Sequence, residues 1–280
     1  MFVLSPCVGV KSNYFTKQMF VKSRFFFRTY TSKRITTDEK ELKNFTALAK
    51  EWWDPNGSLR GLQTFNKCRI PWMKNRLIAV GVIKPDVDET CCFQELSFLE
   101  VGCGGGILSE DLCRLGCQVT GLDANKTLIN IAKNHAHIGQ LTNLSYVHGT
   151  IQDYATQSRE RYDVVVSSET IEHVSEKEEF VKFCVQCLKP GGSIFMTTPN
   201  KTWLSRFFWT FIMEDCFRIL PKGTHSYDMF IHYNDLKQLM SSENCDTVFI
   251  GGLLHSPVTL NWYLVKNKSI SYAIHAVKRS

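Results

Sequence analysis

The sequence predicts a doubly wound α/β fold, in which a mostly parallel seven-stranded sheet carries an N-terminal helical cap. First, β-type apolar runs alternate with helical patterns from residue 96 onward, which is typical of a parallel sheet covered on both faces. Second, a glycine-rich loop directly follows the first of these runs, where such a sheet places its ligand crevice. Third, the chain has 280 residues, of which 44% are hydrophobic and 21% are charged, as in a globular protein with a large core.

The formal net charge of +6 is concentrated in the first 37 residues. Seven Lys and Arg residues but no acid precede Asp38, and removing these seven from the total of 33 leaves 26 basic residues against 27 acidic ones. A basic, acid-poor segment rich in Ser, Thr and Phe is typical of a mitochondrial presequence, so we expect residues 1–32 to be a transit peptide. The alternative is a disordered basic arm that binds nucleic acid. The near-neutral remainder of the chain argues against nucleic acid as a partner.

Residues 33–95 are expected to form the helical cap and a linker. Asp38 can cap a helix whose apolar residues recur every three or four positions as far as Trp52, and the turn residues at 53–57 end it. A second helix is expected over residues 66–80, before an acidic linker at 85–89.

Residues 96–280 are expected to form the core. Strands are predicted at 96–101, 118–122, 144–147, 162–166, 193–197, 247–253 and 271–277, with helices at 107–115, 126–135 and 176–188. The last two strands follow each other without a helix of adequate length between them. We therefore expect them to pair antiparallel at the edge of the sheet.

The glycine loop carries the most information about function. It contains Gly102, Gly104 and Gly106, and Glu100 ends the strand before it. The third position of the dinucleotide pattern G-x-G-x-x-G is Ile107, and no Lys-Ser/Thr pair follows to make a P-loop. Glycines allow the backbone to approach a ligand closely, and the carboxylate of Glu100 suits an ammonium group rather than a pyrophosphate. This pattern favours S-adenosylmethionine over NAD as the cofactor.

Two further acids follow the next two strands. Asp123 ends the second strand, 21 residues beyond Gly102, where an acidic side chain can hold both ribose hydroxyls. Asp153 lies beyond the third strand, and we expect it to accept a hydrogen bond from the adenine amino group. The glycine loop and the two acids together predict S-adenosylmethionine binding, with a degenerate dinucleotide fold as the alternative.

A set of motifs extends along the chain in a fixed order. The motifs are Trp52-Trp53-Asp54 with Gly57, Asn66 and Arg69, then Ser168-Glu169-Thr170-Ile171-Glu172-His173-Val174, Lys189-Pro190-Gly191-Gly192, Thr197-Thr198-Pro199-Asn200 and Pro221-Lys222-Gly223-Thr224-His225. Over roughly residues 40–278 they resemble the ubiquinone-biosynthesis O-methyltransferases, a family of the class I S-adenosylmethionine-dependent methyltransferases. The sequence departs from the family at Gln63, where His is common, and at Pro199, where bacterial members often have Ile.

The resemblance implies a function and a set of site residues. The family methylates ring hydroxyls of polyprenylated dihydroxybenzoate and demethylubiquinol intermediates in ubiquinone biosynthesis. By position, the implied cofactor contacts are Arg69, Gly102, Asp123 and Ser168, and the implied ligands of a divalent metal, usually magnesium, are Glu169, Glu172 and His173. The implied partners are other ubiquinone-biosynthesis proteins in a multi-subunit complex.

Several roles remain open for the residues after the fourth strand. Glu169, Glu172 and His173 are spaced i, i+3 and i+4, so they would share one helical face if the strand led directly into a helix. They could then hold Mg²⁺ or Zn²⁺, which would act as a Lewis acid on the acceptor hydroxyl. Alternatively, Glu169 only braces the loop without a metal, and His173 is the general base. His225 is a second candidate base, or else a structural loop histidine.

The segment at 200–226 is expected to be an insertion that faces the membrane or the substrate. Its aromatic residues recur at helical spacing with nearby cations, which is typical of an element in a membrane interface. A hydrophobic lid over the substrate and ordinary core packing are the alternatives. No run approaches the roughly 18 apolar residues of a membrane span, so we expect peripheral attachment to the matrix face of the inner membrane. Two other functions stay open: a non-catalytic assembly factor with this fold, and a class I methyltransferase for another mitochondrial substrate.

Overall fold

The computed structural model describes residues 39–57, 59–209, 227–256 and 258–280, all of which belong to one unit spanning residues 34–280. Its centre is an eight-stranded sheet with the order β3-β2-β1-β4-β5-β8-β6-β7. The strands are β1 Ser97–Val101, β2 Gln118–Asp123, β3 Leu144–His148, β4 Tyr162–Ser168, β5 Leu188–Pro199, β6 Cys245–His255, β7 Trp262–Val265 and β8 Ser271–Lys278.

The predicted fold class is confirmed, and the sheet has one strand more than predicted. Strands β1 to β5 are parallel, and β8 pairs antiparallel with both β5 and β6. The additional strand is β7, which pairs antiparallel with β6 at the edge of the sheet. It has only four residues, so its alternation of side chains is too short to stand out in the sequence.

Helices cover both faces of the sheet. They are α1 Glu39–Ala47, α2 Arg60–Ala79, α3 Ile107–Arg114, α4 Lys126–Ile138, α5 Ile151–Ala155, α6 Lys177–Cys187, α7 Trp203–Arg206 and α8 Tyr233–Ser242. Apolar residues of α2 and α3 form one core with β1, β4 and β5, and residues of α5, α6 and α8 form a second core on the other face. Burial on both faces explains the nearly continuous apolar runs of the parallel strands.

The cap differs from the prediction at both of its helices. Helix α1 ends at Ala47 and is followed by a 3₁₀ turn at Ala49–Glu51, so Trp52 lies beyond the helix. Helix α2 begins at Arg60, six residues earlier than predicted. Asp38, the predicted cap of α1, lies outside the described residues.

The described part of the insertion is short. Helix α7 and the residues after it expose Trp203 to 73% and Phe207 to 51%, whereas residues 210–226 lie outside the described ranges. Within those ranges, no helix combines the length and the apolar character needed to cross a bilayer.

Candidate active site

The glycine loop between β1 and α3 forms the floor of a cavity at the carboxyl ends of the parallel strands. Gly102 and Gly104 adopt φ of 80° and 54°, a left-handed conformation that favours glycine. They also lack room for a side chain, because Thr170 packs against Gly102 and the indole of Trp52 packs against Gly104. The loop therefore presents backbone to the cavity.

Asp123 ties the loop to the next strand. Its carboxylate accepts hydrogen bonds from the backbone N–H of Gly104 at 2.8 Å and of Asn125 at 2.7 Å. A carboxylate has about four acceptor sites, so Asp123 keeps capacity for ligand hydroxyls in the cavity that it lines. Burial raises the pKa of Asp123.

Glu100 and Arg69 provide opposite charges on one wall. Glu100 is 4% exposed and accepts a hydrogen bond from the hydroxyl of Ser109. Burial raises the pKa of Glu100 to about 7, and the nearby Arg69 guanidinium partly opposes this shift. Arg69 donates from Nε to Asn66 Oδ1 and from Nη1 to Ser168 Oγ, both at 2.7 Å. Because a guanidinium has five N–H donors, Arg69 retains donors for a ligand carboxylate.

The acceptor side of the cavity begins where β4 ends. Glu169 has φ of 53°, which is rare for a residue with a side chain, and its N–H donates to the carbonyl of Thr197 at 2.9 Å. The hydroxyl of Thr197 donates to Glu169 Oε1 at 2.8 Å. Burial raises the pKa of Glu169 to about 8, and the negative charge of Glu172 adds to this shift. Glu169 is therefore a half-buried carboxylate with a raised pKa at the cavity wall.

Glu172 lies behind this wall and is 2% exposed. One of its carboxylate oxygens accepts from the hydroxyl of Thr198 at 2.8 Å, and the other, Oε1, is buried without a hydrogen-bond partner among the described residues. Burial raises the pKa of Glu172 as well.

The prediction that Glu169, Glu172 and His173 share one face of a helix is wrong. Strand β4 does not lead into a helix, because the chain takes a left-handed step at Glu169 and then forms only a 3₁₀ turn at Ile171–His173. Nowhere in the described ranges do three or more His, Cys, Asp or Glu side chains come together as a group that could hold a metal ion. His173 lines the cavity, and its ring meets the ring of Phe45 edge-on at 5.0 Å.

Two other predicted site residues, Gly106 and Asp153, are not among the residues that line the cavity. Asp153 is exposed and accepts a hydrogen bond from Thr150 Oγ1 at 2.8 Å, while Thr150 in turn caps α5. The chain reaches the cavity at Gly149, Thr150 and Ile151 instead, so the structure gives no support for an adenine contact of Asp153. His225 lies outside the described residues.

Aromatic residues of the cap, for which the sequence predicts no role, hold the glycine loop from the cap side. Trp53 Nε1 donates to the carbonyl of Gly105 at 3.0 Å, and its ring stacks on His135 with centroids 3.6 Å apart. Trp52 and Phe45 line the cavity. The Trp52-Trp53-Asp54 motif could have indicated this contact with the glycine loop. Two adjacent tryptophans at a predicted helix end cannot both lie on the one apolar face of that helix, so at least one of them needs another packing partner.

Comparisons with known proteins agree with this geometry. A family model described as a methyltransferase domain matches residues 99–196. The fold is similar to that of magnesium protoporphyrin IX methyltransferase from Synechocystis PCC 6803 with bound SAH, with a TM-score of 0.54 and 15% identity over 79% of this chain and 84% of that one. The fold and the cavity define an S-adenosylmethionine-dependent methyltransferase.

Sequence relatives show to which family of methyltransferases the chain belongs. The chain is 36% identical over 257 residues to the mitochondrial ubiquinone biosynthesis O-methyltransferase of Mus musculus, covering 90% of this chain and 68% of the relative. It is 33% identical to the ubiquinone biosynthesis O-methyltransferase of Chelativorans sp. (strain BNC1), covering 88% and 96%. The chain belongs to the ubiquinone biosynthesis O-methyltransferase family.

Proposed function

We propose that this chain transfers the methyl group of S-adenosylmethionine to ring hydroxyls of polyprenylated dihydroxybenzoate and demethylubiquinol intermediates in ubiquinone biosynthesis. One observation carries the proposal: a single cavity joins the glycine loop and its acids to the half-buried carboxylate of Glu169 at the end of β4, whose pKa is raised. The names of the relatives support the same reaction class and pathway.

The cofactor occupies the β1–β2 side of this cavity in the proposal. Asp123 accepts hydrogen bonds from the ribose hydroxyls, and the backbone at Gly102 and Gly104 allows close approach. Glu100 faces the ammonium group of the methionine part, and the remaining donors of Arg69 bind its carboxylate. Ser168 keeps Arg69 in position through the 2.7 Å hydrogen bond.

Methyl transfer then needs a base for the acceptor hydroxyl. Glu169 accepts the proton, the phenolic oxygen forms a bond to the methyl carbon, and the bond from that carbon to sulfur breaks to leave S-adenosylhomocysteine. A base with a pKa of about 8 is well matched to this task near neutral pH. His173 lines the same cavity and is the second candidate base.

The divalent metal implied by the family resemblance fits two of its three proposed ligands. Glu169 and Glu172 offer carboxylate oxygens, which suit Mg²⁺, and Glu172 Oε1 lacks a hydrogen-bond partner in the described structure. His173 does not join them there as a third ligand. When bound, Mg²⁺ or Zn²⁺ would lower the pKa of the acceptor hydroxyl as a Lewis acid. Full turnover after chelation would refute the metal, whereas Mg²⁺-dependent turnover that is lost in Glu172→Gln would support it.

For the location, the proposal is the matrix face of the inner mitochondrial membrane, in contact with other ubiquinone-biosynthesis proteins. The mammalian relatives are named mitochondrial, and residues 1–32 have the composition of a transit peptide. The exposed Trp203 and Phe207 give the chain an apolar surface for peripheral membrane contact.

The test incubates the protein with methyl-labelled S-adenosylmethionine and a short-chain prenylated catechol, with and without Mg²⁺ or Zn²⁺. We expect one labelled methyl ether per turnover and loss of transfer in Glu169→Gln, which retains cofactor binding. Cofactor binding without transfer to any acceptor would favour an assembly factor. Preferred transfer to another mitochondrial acceptor would move the chain to a different methyltransferase function.

A further inference from the structure

The guanidinium of Arg69 lies among several acids at the wall of the cavity. Arg69 is 5% exposed and lines the cavity. Burial lowers its pKa, and the charges of Glu100, Glu169 and Asp111 oppose this shift. Each of these carboxylates attracts the guanidinium, and a direct pair with one of them would turn Arg69 away from a ligand. The direction of this long side chain therefore has to be set by its neighbours.

Asn66, three residues earlier on α2, holds Arg69 through an amide that uses both of its polar atoms. Asn66 Oδ1 accepts a hydrogen bond from Arg69 Nε at 2.7 Å. Asn66 Nδ2 donates to the carbonyl of Ile107 at 3.1 Å and to Asp111 Oδ2 at 2.5 Å. An amide has donors only on its nitrogen, so this orientation satisfies all three contacts and the reversed one would satisfy none of them. Asn66 is 5% exposed, which shields these contacts from solvent.

The same amide separates the guanidinium of Arg69 from the carboxylate of Asp111. The oxygen of the amide faces the guanidinium, and its nitrogen faces the carboxylate. Asp111 has a cation of its own, since it also accepts a hydrogen bond from Arg114 Nη1 at 2.9 Å. Without the amide of Asn66, the attraction between opposite charges would draw Arg69 towards Asp111 and away from the cavity.

Asn66 also fixes Arg69 relative to the glycine loop. Ile107, whose carbonyl accepts from Asn66, is the first residue of α3 and directly follows the loop. At the other end of the guanidinium, Nη1 donates to Ser168 at the end of β4. These two contacts hold Arg69 between the start of α3 and the end of β4. They leave Nη2 without an acceptor among the described residues, so it can donate to a ligand carboxylate.

We propose that Asn66 is a positioning residue, which directs the guanidinium of Arg69 at the carboxylate of S-adenosylmethionine and keeps it from pairing with Asp111. The inference rests on the proposed function, because that function supplies the contact between Arg69 and the ligand carboxylate. Asn66 touches no ligand in this role. Its loss should therefore weaken the binding of a ligand that has the carboxylate, but not of a ligand that lacks it.

The experiment measures the Kd of two ligands by isothermal titration calorimetry at pH 7. They are S-adenosylmethionine and decarboxylated S-adenosylmethionine, which keeps the ammonium and sulfonium charges but has no carboxylate. The proteins are wild type, Asn66→Ala, the double variant of Asn66→Ala with Asp111→Asn, and the control Thr64→Val. Thr64 lies on α2 as well and donates to the carbonyl of Leu260 at 2.5 Å, so the control also loses a tertiary hydrogen bond of this helix.

For Asn66→Ala we expect the Kd for S-adenosylmethionine to rise about tenfold and the Kd for the decarboxylated ligand to change less than about twofold. Removing the charge of Asp111 in the double variant should recover about threefold of the lost affinity, because Arg69 then has no carboxylate there to pair with. Thr64→Val should change both Kd values less than about twofold, since its hydrogen bond does not involve Arg69.

Asn66→Asp provides a second variant that keeps the size of the side chain and so leaves no void if Asn66→Ala fails to fold. Its new carboxylate pairs with Arg69, so it should also raise the Kd for S-adenosylmethionine selectively. An equal rise in both Kd values in either Asn66 variant would overturn the inference, as would a double variant that binds no better than Asn66→Ala. Equal Kd values of the two ligands for wild type would overturn it too, by excluding the contact of Arg69 with the carboxylate. A wild type that binds neither ligand would instead overturn the proposed function.

Discussion

Replacement of Glu100 by Gln tests the electrostatics of cofactor binding. Burial raises the pKa of Glu100 to about 7 in the ligand-free protein. A bound ammonium group favours the ionised carboxylate, so binding should release a proton from the fraction of molecules in which Glu100 is protonated. Glu100→Gln keeps the size of the side chain and removes this titration.

The size of the expected change in affinity follows from the fraction of Glu100 that is ionised at each pH. With a pKa of about 7, roughly 3% of Glu100 is ionised at pH 5.5 and about half at pH 7. The affinity for S-adenosylmethionine should therefore rise about 16-fold between these pH values, while the ammonium group of the ligand stays charged. Because the pKa of Glu100 is raised, the protein loses affinity for S-adenosylmethionine as the pH falls through about 7.

Isothermal titration calorimetry checks both quantities. Titrations at pH 7 in two buffers of different ionisation enthalpy should give about half a proton released by wild type and markedly less by Glu100→Gln. The variant should also bind more weakly at pH 7 and with a flatter pH dependence. A wild-type Kd that is constant from pH 5.5 to 7, or equal proton release by the two proteins, would refute the reasoning.

Three further predictions concern other parts of the molecule. Glu169→Gln should lower the transfer rate at least 100-fold. Because the pKa of Glu169 is raised, wild type should lose stability as the pH rises from about 5 through 8, and urea titrations should show that Glu169→Gln loses less. Trp52→Ala removes the indole against Gly104 and should cost about 3 kcal/mol in the free energy of unfolding, with weaker cofactor binding as a second readout. The double change Trp203→Asp and Phe207→Asp should abolish liposome flotation, with methylation of a water-soluble catechol as the unchanged control.

Much of the fold was predictable because its strands are buried on both faces. The seven predicted strands appear within a few residues of their expected positions, and β6 and β8 pair antiparallel as expected. The cap was less predictable, since Trp52 continues the apolar spacing of α1 but turns away to pack on Gly104. Local periodicity cannot show that a tertiary contact ends a helix early.

Part of the candidate site was likewise predictable from the sequence and part of it was not. Asp123 lines the cavity because strand order alone brings the end of β2 beside the glycine loop. The spacing of Glu169 and His173 was misleading, because it is informative only if the backbone is helical, and Glu169 adopts φ of 53°.

The backbone at Glu169 bears on how the gene for this chain can change over time. Glu169 lowers stability in two ways, through its left-handed backbone and through a half-buried acid with a raised pKa, and glycine at this position would relieve both penalties through a single substitution. A lineage in which the chain served only as a scaffold would be free to accept that relief, and random change would tend towards it. We therefore expect glycine at this position to be more frequent in related chains that have lost methyl transfer than in active ones, which sequencing this codon across related lineages would show.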